Sequence, residues 1–226
     1  MPRGRYPARL TLPQIDPIIL DHYRLFWPDR DLYHHPERFP APTAPALFGL
    51  DAPLAIDLGC STAEFLCELA AREPEVCFLG IDIARKPLEH AVLNASERGL
   101  RNIRFLQAEL TLVIPRLQPA SVARAYLHFP VPFHTTGRRK HRIYSAEQLG
   151  RLSEALAPGG RLSLMSDDPQ VAEEMAGFAN STPLRALPPE GWRLRFDDAL
   201  KSPYHRRWEA RGRTIWRWEL EKTEQA

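Results

Sequence analysis

The sequence has few cysteines and no long apolar run. Its three cysteines, Cys60, Cys67 and Cys77, are odd in number and form no Cys-x-x-Cys pair. Disulfide scaffolds and cysteine-based zinc sites need more cysteines, or paired ones. No apolar stretch approaches the roughly 20 residues of a membrane-spanning helix, and the arginine- and proline-rich start lacks the apolar core of a signal peptide. We therefore expect a cytoplasmic protein with reduced thiols, no membrane contact and no bound metal.

Lysine is also scarce, since only four of the 30 basic residues are lysine, so arginine carries most of the positive charge. The net charge is +2, but residues 134–144 carry +4 and residues 185–217 carry +5, which leaves −7 for the rest. Basic residues gain affinity for phosphates by releasing counterions. The asymmetry is therefore typical of a face that binds a polyanion, although two solvated basic surfaces would give the same pattern.

The chain divides into a proline-rich start and a longer regular part. Residues 1–45 contain a short amphipathic stretch and then a run rich in proline, which predicts an N-terminal arm or lid. The adjacent His34 and His35 lack further spaced ligands and are typical of surface residues. Residues 46–226 are predicted to form one domain with a basic C-terminal segment at 185–217.

Strand and helix patterns alternate from residue 54 onward. Short apolar runs predict strands at 54–58, 76–81, 103–106, 122–129 and 161–166. Helical spacing predicts helices at 62–73, 85–99 and 145–156. This alternation predicts an α/β fold with a doubly wound, mostly parallel, Rossmann-like sheet and helices on both faces.

The turn after the first of these strands, "DLGCSTAEF" at 57–65, has features of a nucleotide-binding loop. Gly59 permits a tight turn and a close approach of a ligand, and Ser61 and Glu64 predict a capping box at the start of the helix. Asp82 follows Gly59 by 23 residues, at the end of the second strand. A carboxylate there can accept both hydroxyls of a ribose. An ordinary turn followed by a chance acid is the alternative.

Two common nucleotide motifs are missing. The dinucleotide fingerprint G-x-G-x-x-G needs glycines where Ser61 and Glu64 stand, which disfavours an NAD-dependent oxidoreductase. The Gly-Lys-Ser/Thr ending of a Walker A loop is also absent. The loop instead opens with Asp57 beside Gly59, which suits a cofactor with a cationic amino acid tail. This points to S-adenosylmethionine.

The sequence resembles the bacterial tRNA guanine-N7 methyltransferases from about Leu54 to Leu220. The similar stretches are "AIDLGCSTAEFLCELA", "FLGIDIARKPLEHA", "NIRFLQAEL" and the C-terminal "SPYHRRWEARGRTIWRWEL". The C-terminal stretch is similar to a signature more specific to the family than its cofactor loop. The resemblance implies a methyltransferase fold and transfer of a methyl group from S-adenosylmethionine to N7 of a guanine in tRNA.

The resemblance also implies roles for individual residues. Asp57 matches the acid near the methionine end of the cofactor, Asp82 the ribose acid and Glu109 the acid near the adenine. Asp167 matches an aspartate that is implied to lie near the guanine, and it is a candidate catalytic and substrate-binding residue. Ser202 matches a threonine of the C-terminal signature and is a candidate for substrate binding.

Other positions depart from the family pattern. The family's Asp-Pro-Trp-Pro-Lys-Lys-Arg-His aligns with "VPFHTTGR", so Val131 replaces the family's catalytic aspartate. His205 replaces the glutamate of the C-terminal signature and is a further candidate for substrate binding. The displaced basic run Arg138, Arg139 and Lys140 can replace the family's basic residues as anchors for tRNA phosphates.

The missing acid does not by itself exclude the chemistry. Guanine N7 has an in-plane lone pair and no proton, so its methylation needs no base, and positioning alone can contribute roughly 7–11 kcal/mol. His128, at the end of the fourth strand, is the candidate substitute contact and catalytic residue; a structural histidine is the alternative.

Two other functions remain open: a homologue that binds tRNA or the cofactor without turnover, and a methyltransferase of the same fold with another substrate. A small substrate would leave the basic C-terminal segment without a use.

Overall fold

One sheet of eight strands organises the computed structural model, which describes residues 10–132, 142–187 and 200–223. The strands are β1 (Arg24–Phe26), β2 (Leu54–Leu58), β3 (Cys77–Asp82), β4 (Ile103–Gln107), β5 (Val122–His128), β6 (Leu156–Ser166), β7 (Leu184–Leu187) and β8 (Trp216–Lys222). The helices are α1 (Pro17–Tyr23), α2 (Asp29–His34), α3 (Ala44–Phe48), α4 (Glu64–Arg72), α5 (Arg85–Glu97), α6 (Leu110–Val113), α7 (Ala146–Ala155), α8 (Pro169–Asn180) and α9 (Pro203–Glu209). Two 3-10 turns cover Pro36–Arg38 and Ile114–Arg116.

The strand order is β1-β4-β3-β2-β5-β6-β8-β7. Among these strands only β8 runs against the others, since it pairs antiparallel with both β6 and β7. The predicted doubly wound, mostly parallel sheet is therefore confirmed. The order reverses at β2, which pairs with both β3 and β5. In sheets of this kind, ligands bind beyond the carboxyl ends of the strands at such a reversal.

The central strands are apolar because both faces of the sheet are covered. In β2 every residue is buried. Leu54, Ile56 and Leu58 belong to one hydrophobic cluster, and Ala55 belongs to another that includes residues of α4 and α5. Successive side chains of a strand point to opposite faces, so the two clusters lie on opposite sides of the sheet. Burying a leucine or isoleucine fully contributes about 1.5–3 kcal/mol.

The predicted strands and helices of the regular part are all present, with one notable shift. Strand β6 begins at Leu156 and not at residue 161, because the Pro158–Gly160 segment continues the strand and does not precede it. Gly159 adopts φ +72, and the pairing of β5 with β6 shifts register between Val122 and Arg124. The irregular pairing accommodates the proline and the glycines. The three cysteines are free and buried.

The described part of the N-terminal segment packs against the sheet. Strand β1 pairs in parallel with β4. The hydroxyl of Tyr23 donates to the carbonyl of Leu100 (2.6 Å), and Trp27 and Leu32 are buried in the core. The division between an arm at 1–45 and a domain at 46–226 stays a prediction. Within the described ranges, no helix has the length and apolarity needed to cross a membrane.

Gly80 permits α4 to pack closely on the sheet beneath the site described below. A Cβ atom at this position would lie 2.8 Å from Cys60 Sγ, 2.9 Å from Phe105 Cδ1 and 3.1 Å from Leu66 Cδ2. These distances are shorter than carbon and sulfur atoms tolerate without a shift. Helix α4 and the loop before it can therefore lie this close to β3 only because Gly80 has no side chain.

We expect Gly80→Ala to lower the free energy of unfolding by about 1–3 kcal/mol, because the added methyl group overpacks the core. The matched control is Gly150→Ala in α7, where a Cβ would meet nothing within 4 Å. That variant should gain about 0.5–1 kcal/mol, since alanine favours a helix over glycine. Urea unfolding of both variants measures the difference. Equal stabilities for the two would contradict the packing assigned to Gly80.

Candidate functional site

Two adjoining cavities, of about 330 and 320 Å³, lie at the carboxyl ends of the central strands. Five residues line both of them: Gly59, Asp82, His128, Phe129 and Val131. The first cavity is completed by the loop before α4 and by the start of α9. The second cavity is completed by residues that follow β3, β4 and β5. The sheet reversal thus holds a divided cleft, at the position expected for a ligand.

The loop between β2 and α4 forms one wall of the first cavity. Gly59 adopts φ +91, and the N–H groups of Gly59 and Cys60 both donate to the carbonyl of Ile81 (2.8 and 3.1 Å). Ser61 and Ala63 adopt φ values of 52° and 53°, a left-handed conformation that non-glycine residues rarely hold. Helix α4 then begins without a side-chain cap. The predicted capping box of Ser61 is therefore wrong, because its backbone turns away from the geometry of an N-cap.

Asp82 holds this loop in place. Its carboxylate accepts from the N–H of Ser61 (2.9 Å) and from the N–H of Ala84 (2.8 Å). Burial raises the pKa of Asp82, and these backbone donors oppose the rise. Asp82 lines both cavities, and an ionised carboxylate has about four lone-pair sites. The carboxylate can therefore accept further hydrogen bonds from a ligand.

Asp57 lies at the floor of the first cavity, 6% exposed, near the end of β2. Burial raises its pKa to about 7, and the nearby charge of Asp82 adds to the rise. Among the described residues, no side-chain or backbone donor bonds to this carboxylate. Since a buried ionised carboxylate is costly without a partner, the position favours a cationic ligand group.

Glu109 lies at the far end of the second cavity, where it caps α6. Its carboxylate accepts from the N–H of Thr111 (3.4 Å) and from the Thr111 hydroxyl (3.2 Å). Around it the cavity is lined by apolar side chains, among them Ile83, Leu110 and Ile143. This combination of apolar walls with one acid suits a flat heteroaromatic ring that carries N–H donors.

His128 ends β5 between the two cavities. Its Nε2 lies 2.9 Å from the hydroxyl of Ser163, and the rings of Phe65 and Tyr126 pack against it at centroid distances of 5.4 and 5.6 Å. Burial lowers the pKa of His128 to about 3, and the charges of Arg217 and His205 contribute to the shift. The imidazole is therefore neutral at physiological pH.

Val131 faces the cleft and not the core. Its side chain is 60% exposed, and it lines both cavities. The corner at residues 130–132 is thus a wall of the site, and the position predicted to replace the family's acid is apolar and accessible.

The C-terminal candidates are divided between the cleft and the protein interior. Ser202 lines the first cavity and caps α9 by accepting from the N–H of His205 (3.1 Å). His205 is 3% exposed and Asp167 is 5% exposed, and neither lines the two cavities. The carboxylate of Asp167 is bound by Arg213 and by the hydroxyl of Tyr204 (3.4 Å). Direct substrate contact by His205 or Asp167 stays a prediction.

The predicted phosphate anchors Arg138, Arg139 and Lys140 lie outside the described residues. The cleft instead contains aromatic residues that the sequence patterns did not single out. Phe65, Phe129 and Tyr204 line the first cavity. Phe129 adopts φ 54, an unusual conformation for a bulky residue. Phe129 is the last residue of the apolar run predicted as a strand at 122–129, and that position was the available signal, since the carboxyl ends of parallel strands meet at the ligand edge of the sheet.

Sequence comparison identifies related proteins. A family model described as "Putative methyltransferase" matches residues 51–218. The tRNA (guanine-N(7)-)-methyltransferase of Chloroflexus aggregans is 44% identical over 216 residues, which cover 95% of each chain. The corresponding protein of Rubrobacter xylanophilus is 38% identical, covering 94% of this chain and 96% of that protein.

Solved structures show the same fold at low identity. The 16S rRNA methyltransferase KamB matches with a TM-score of 0.56 and 15% identity, covering 78% of this chain and 90% of that one. The aminoglycoside resistance methyltransferase NpmB1 matches with a TM-score of 0.52 and 19% identity, covering 76% and 87%. These solved structures establish the fold of the chain, and the relatives that align along nearly its whole sequence establish its family. The chain belongs to the family of tRNA (guanine-N(7)-)-methyltransferases.

Proposed function

We propose that the protein transfers a methyl group from S-adenosylmethionine to N7 of a guanine in tRNA, and that it acts in the cytoplasm. The observation that carries this proposal is the divided cleft, in which Asp57 and Asp82 lie together at the sheet reversal. The identity of the relatives supports the same reaction.

The residues of the cleft fit S-adenosylmethionine. Asp57, buried and without a described donor, would bind the ammonium group of the amino acid tail, and Asp82 would accept from the ribose hydroxyls. Glu109 and the apolar walls of the second cavity would hold the adenine. A Cβ on Gly59 would meet no atom within 4 Å, so the space before the loop is open to a ligand. When bound, S-adenosylmethionine supplies an electrophilic methyl group.

The remaining walls of the first cavity suit a flipped base. Phe65 and Tyr204 provide aromatic surfaces on which an unstacked base can pack. Ser202 and His128 add polar atoms at the same wall. Because N7 carries a lone pair and loses no proton, these residues need only orient the base toward the methyl group and exclude water.

The basic C-terminal segment supplies charge for an RNA backbone. Three arginines surround Trp208: the guanidinium carbons of Arg213, Arg211 and Arg207 lie 3.7, 5.0 and 5.3 Å from its ring centroid. Arg213 also pairs with Asp167, which ties this cluster to the end of β6. Arginines fixed in this manner would contact phosphates near the cleft, together with the basic run at 138–140.

A homologue that binds without turnover is the second candidate function. Val131 favours it, since an apolar side chain lines the cleft where the family has an acid. Methyl transfer to tRNA distinguishes the two.

Incubation of the purified protein with labelled S-adenosylmethionine and unmodified tRNA should yield N7-methylguanine at one position, detected by mapping the labelled base.

Asp82→Ala should weaken cofactor binding by about tenfold or more, because a charge-assisted hydrogen bond contributes about 1.5–3 kcal/mol. Asp51→Ala, an exposed aspartate away from the cleft, is the matched control and should bind normally in calorimetry. An unmutated protein that binds cofactor but methylates no tRNA would favour the second candidate function.

The affinity for S-adenosylmethionine should depend on pH through Asp57. Because its pKa is raised to about 7, the carboxyl group is largely protonated at pH 6 and must lose a proton to pair with the ligand's ammonium group. Affinity should therefore rise as pH increases toward 7.5, by up to about tenfold per pH unit below the pKa, and binding should release a proton. Calorimetry in two buffers of different ionisation enthalpy measures that release. Asp57→Asn should bind weakly at every pH, and a flat pH profile for the unmutated protein would argue against this pairing.

Val131→Asp should increase methylation without loss of stability. The position is 60% exposed, so the carboxylate stays hydrated and the melting temperature should not change. A new charge-assisted contact with the guanine should raise the rate by up to about tenfold. Val131→Asn has the same shape without the charge and should gain less. A large fall in melting temperature in both variants would show that this corner is structural.

A further inference from the structure

A chain of hydrogen-bonded polar side chains runs across three strands, from His128 through Ser163 to Glu219. Nε2 of His128 on β5 lies 2.9 Å from the hydroxyl of Ser163 on β6. The same hydroxyl donates to the carboxylate of Glu219 on β8 at 2.7 Å, and Arg217 pairs with that carboxylate. Ser163 and Glu219 are register partners in the antiparallel pairing of β6 with β8. The sheet therefore fixes these groups relative to one another.

The donors and acceptors among these side chains determine where the protons are. A serine hydroxyl has one proton, and Ser163 donates it to a carboxylate that also accepts from Arg217. Ser163 can then only accept from His128, so Nε2 must carry the ring proton. In a neutral imidazole the other nitrogen, Nδ1, is then an acceptor. No donor among the described residues bonds to Nδ1.

The surroundings keep the ring neutral. Burial lowers the pKa of His128, as do the positive charge of Arg217 and the neighbouring His205. The phenol of Tyr126 and the ring of Phe65 pack against it, and the Ser163 hydroxyl lies between the ring and the Glu219 carboxylate. His128 is thus a fixed, uncharged acceptor beside the cavities that Val131 also lines.

We propose that Glu219 and Ser163 hold His128 in the Nε2–H tautomer, so that Nδ1 accepts a hydrogen bond from an N–H group of the target guanine. This contact replaces the one that the family's acid would make and Val131 cannot. The proposal rests on the proposed function. His128 touches the substrate, and Ser163 and Glu219 are positioning residues that act through it.

The reaction gains from an acceptor of this kind. The lone pair of N7 forms the new N–C bond while the C–S bond of the sulfonium breaks and leaves its electron pair on sulfur. The purine becomes cationic, no proton leaves, and its N1–H and amino N–H groups become stronger donors. A preorganised acceptor stabilises this charge as it develops. Adenine presents an acceptor at N1, which would oppose the lone pair of Nδ1, so the same contact selects guanine.

The tautomer can be observed without an activity assay. In protein with ¹⁵N-labelled histidine, the ring signals lost in His128→Phe assign this residue among the eight histidines. We expect the neutral Nε2–H pattern from pH 5 to pH 8, where an exposed histidine would titrate. Ser163→Ala removes the acceptor of the Nε2 proton and should produce a mixture of tautomers. A protonated ring at pH 7, or an Nδ1–H pattern, would overturn the proposal.

Kinetics then test the role in transfer. His128→Phe preserves the aromatic packing and should lower kcat for tRNA methylation by about tenfold or more, with little change in the KM for S-adenosylmethionine. Ser163→Ala should lower kcat less. Ser153→Ala, a buried serine of α7 outside the cavities, should leave kcat unchanged. Adding Val131→Asp to His128→Phe should restore part of the lost rate, because the carboxylate supplies the missing acceptor.

The outcomes separate this proposal from the proposed function. An unmutated protein that methylates guanine N7, together with a fully active His128→Phe variant, would overturn the role of His128 and leave the proposed function intact. An unmutated protein that binds tRNA and S-adenosylmethionine without transfer would overturn both. A loss of kcat in His128→Phe that Val131→Asp reverses, with the Nε2–H pattern in the unmutated protein, would support the proposal.

Discussion

The site depends on two carboxylates at the ends of neighbouring strands: Asp57, which is buried, and Asp82, which is half-buried at the cavity wall. Desolvation raises the pKa of both groups, and a neighbouring negative charge adds to the rise: that of Asp82 beside Asp57, and that of Glu109 beside Asp82. Hydrogen bonds from the N–H groups of Ser61 and Ala84 stabilise the ionised form of Asp82. Asp57 accepts no such hydrogen bond from the described residues. A folded-state pKa raised from 3.8 to about 7 means that stability from protonated Asp57 is fully present below pH 4 and is lost as pH rises through 7. At neutral pH the free protein therefore holds an unfavourable charge that a cationic ligand relieves, which couples ligand binding to folding stability.

The loop between β2 and α4 adds a second source of strain. Ser61 and Ala63 both adopt the left-handed backbone that glycine favours. Such a conformation costs about 1–2 kcal/mol for each residue with a Cβ. The hydrogen bond from the Ser61 N–H to Asp82 holds one of these residues in place. The same carboxylate thus maintains the loop and faces the ligand cavity, so structure and binding share one group.

The positions of the candidate cofactor residues could be predicted from the sequence, because the carboxyl ends of parallel strands converge at one edge. Asp57, Gly59, Asp82 and Glu109 each follow or end a short apolar run, and all of them line the cleft. The line from His128 to Glu219 could not be predicted in this way. It depends on the antiparallel pairing of β8 with β6, which joins residues 56 positions apart. The failure of the Ser61 capping box has a local cause: a Ser-x-x-Glu spacing does not reveal a left-handed backbone.

The predicted replacement of an acid by Val131 would change how the cleft holds its substrate. An acid at that position would lie on an exposed corner, where solvent screens its charge. His128 lies at the end of β5, and its ring is oriented by Ser163, Phe65 and Tyr126. An acceptor fixed by sheet register loses less entropy on binding and needs less reorganisation during transfer than one on a loop. It also adds no further negative charge beside Asp57 and Asp82, whose pKa values already reflect crowding of like charges. A neutral acceptor on the sheet can therefore contact the base without changing the charge around this pair of carboxylates.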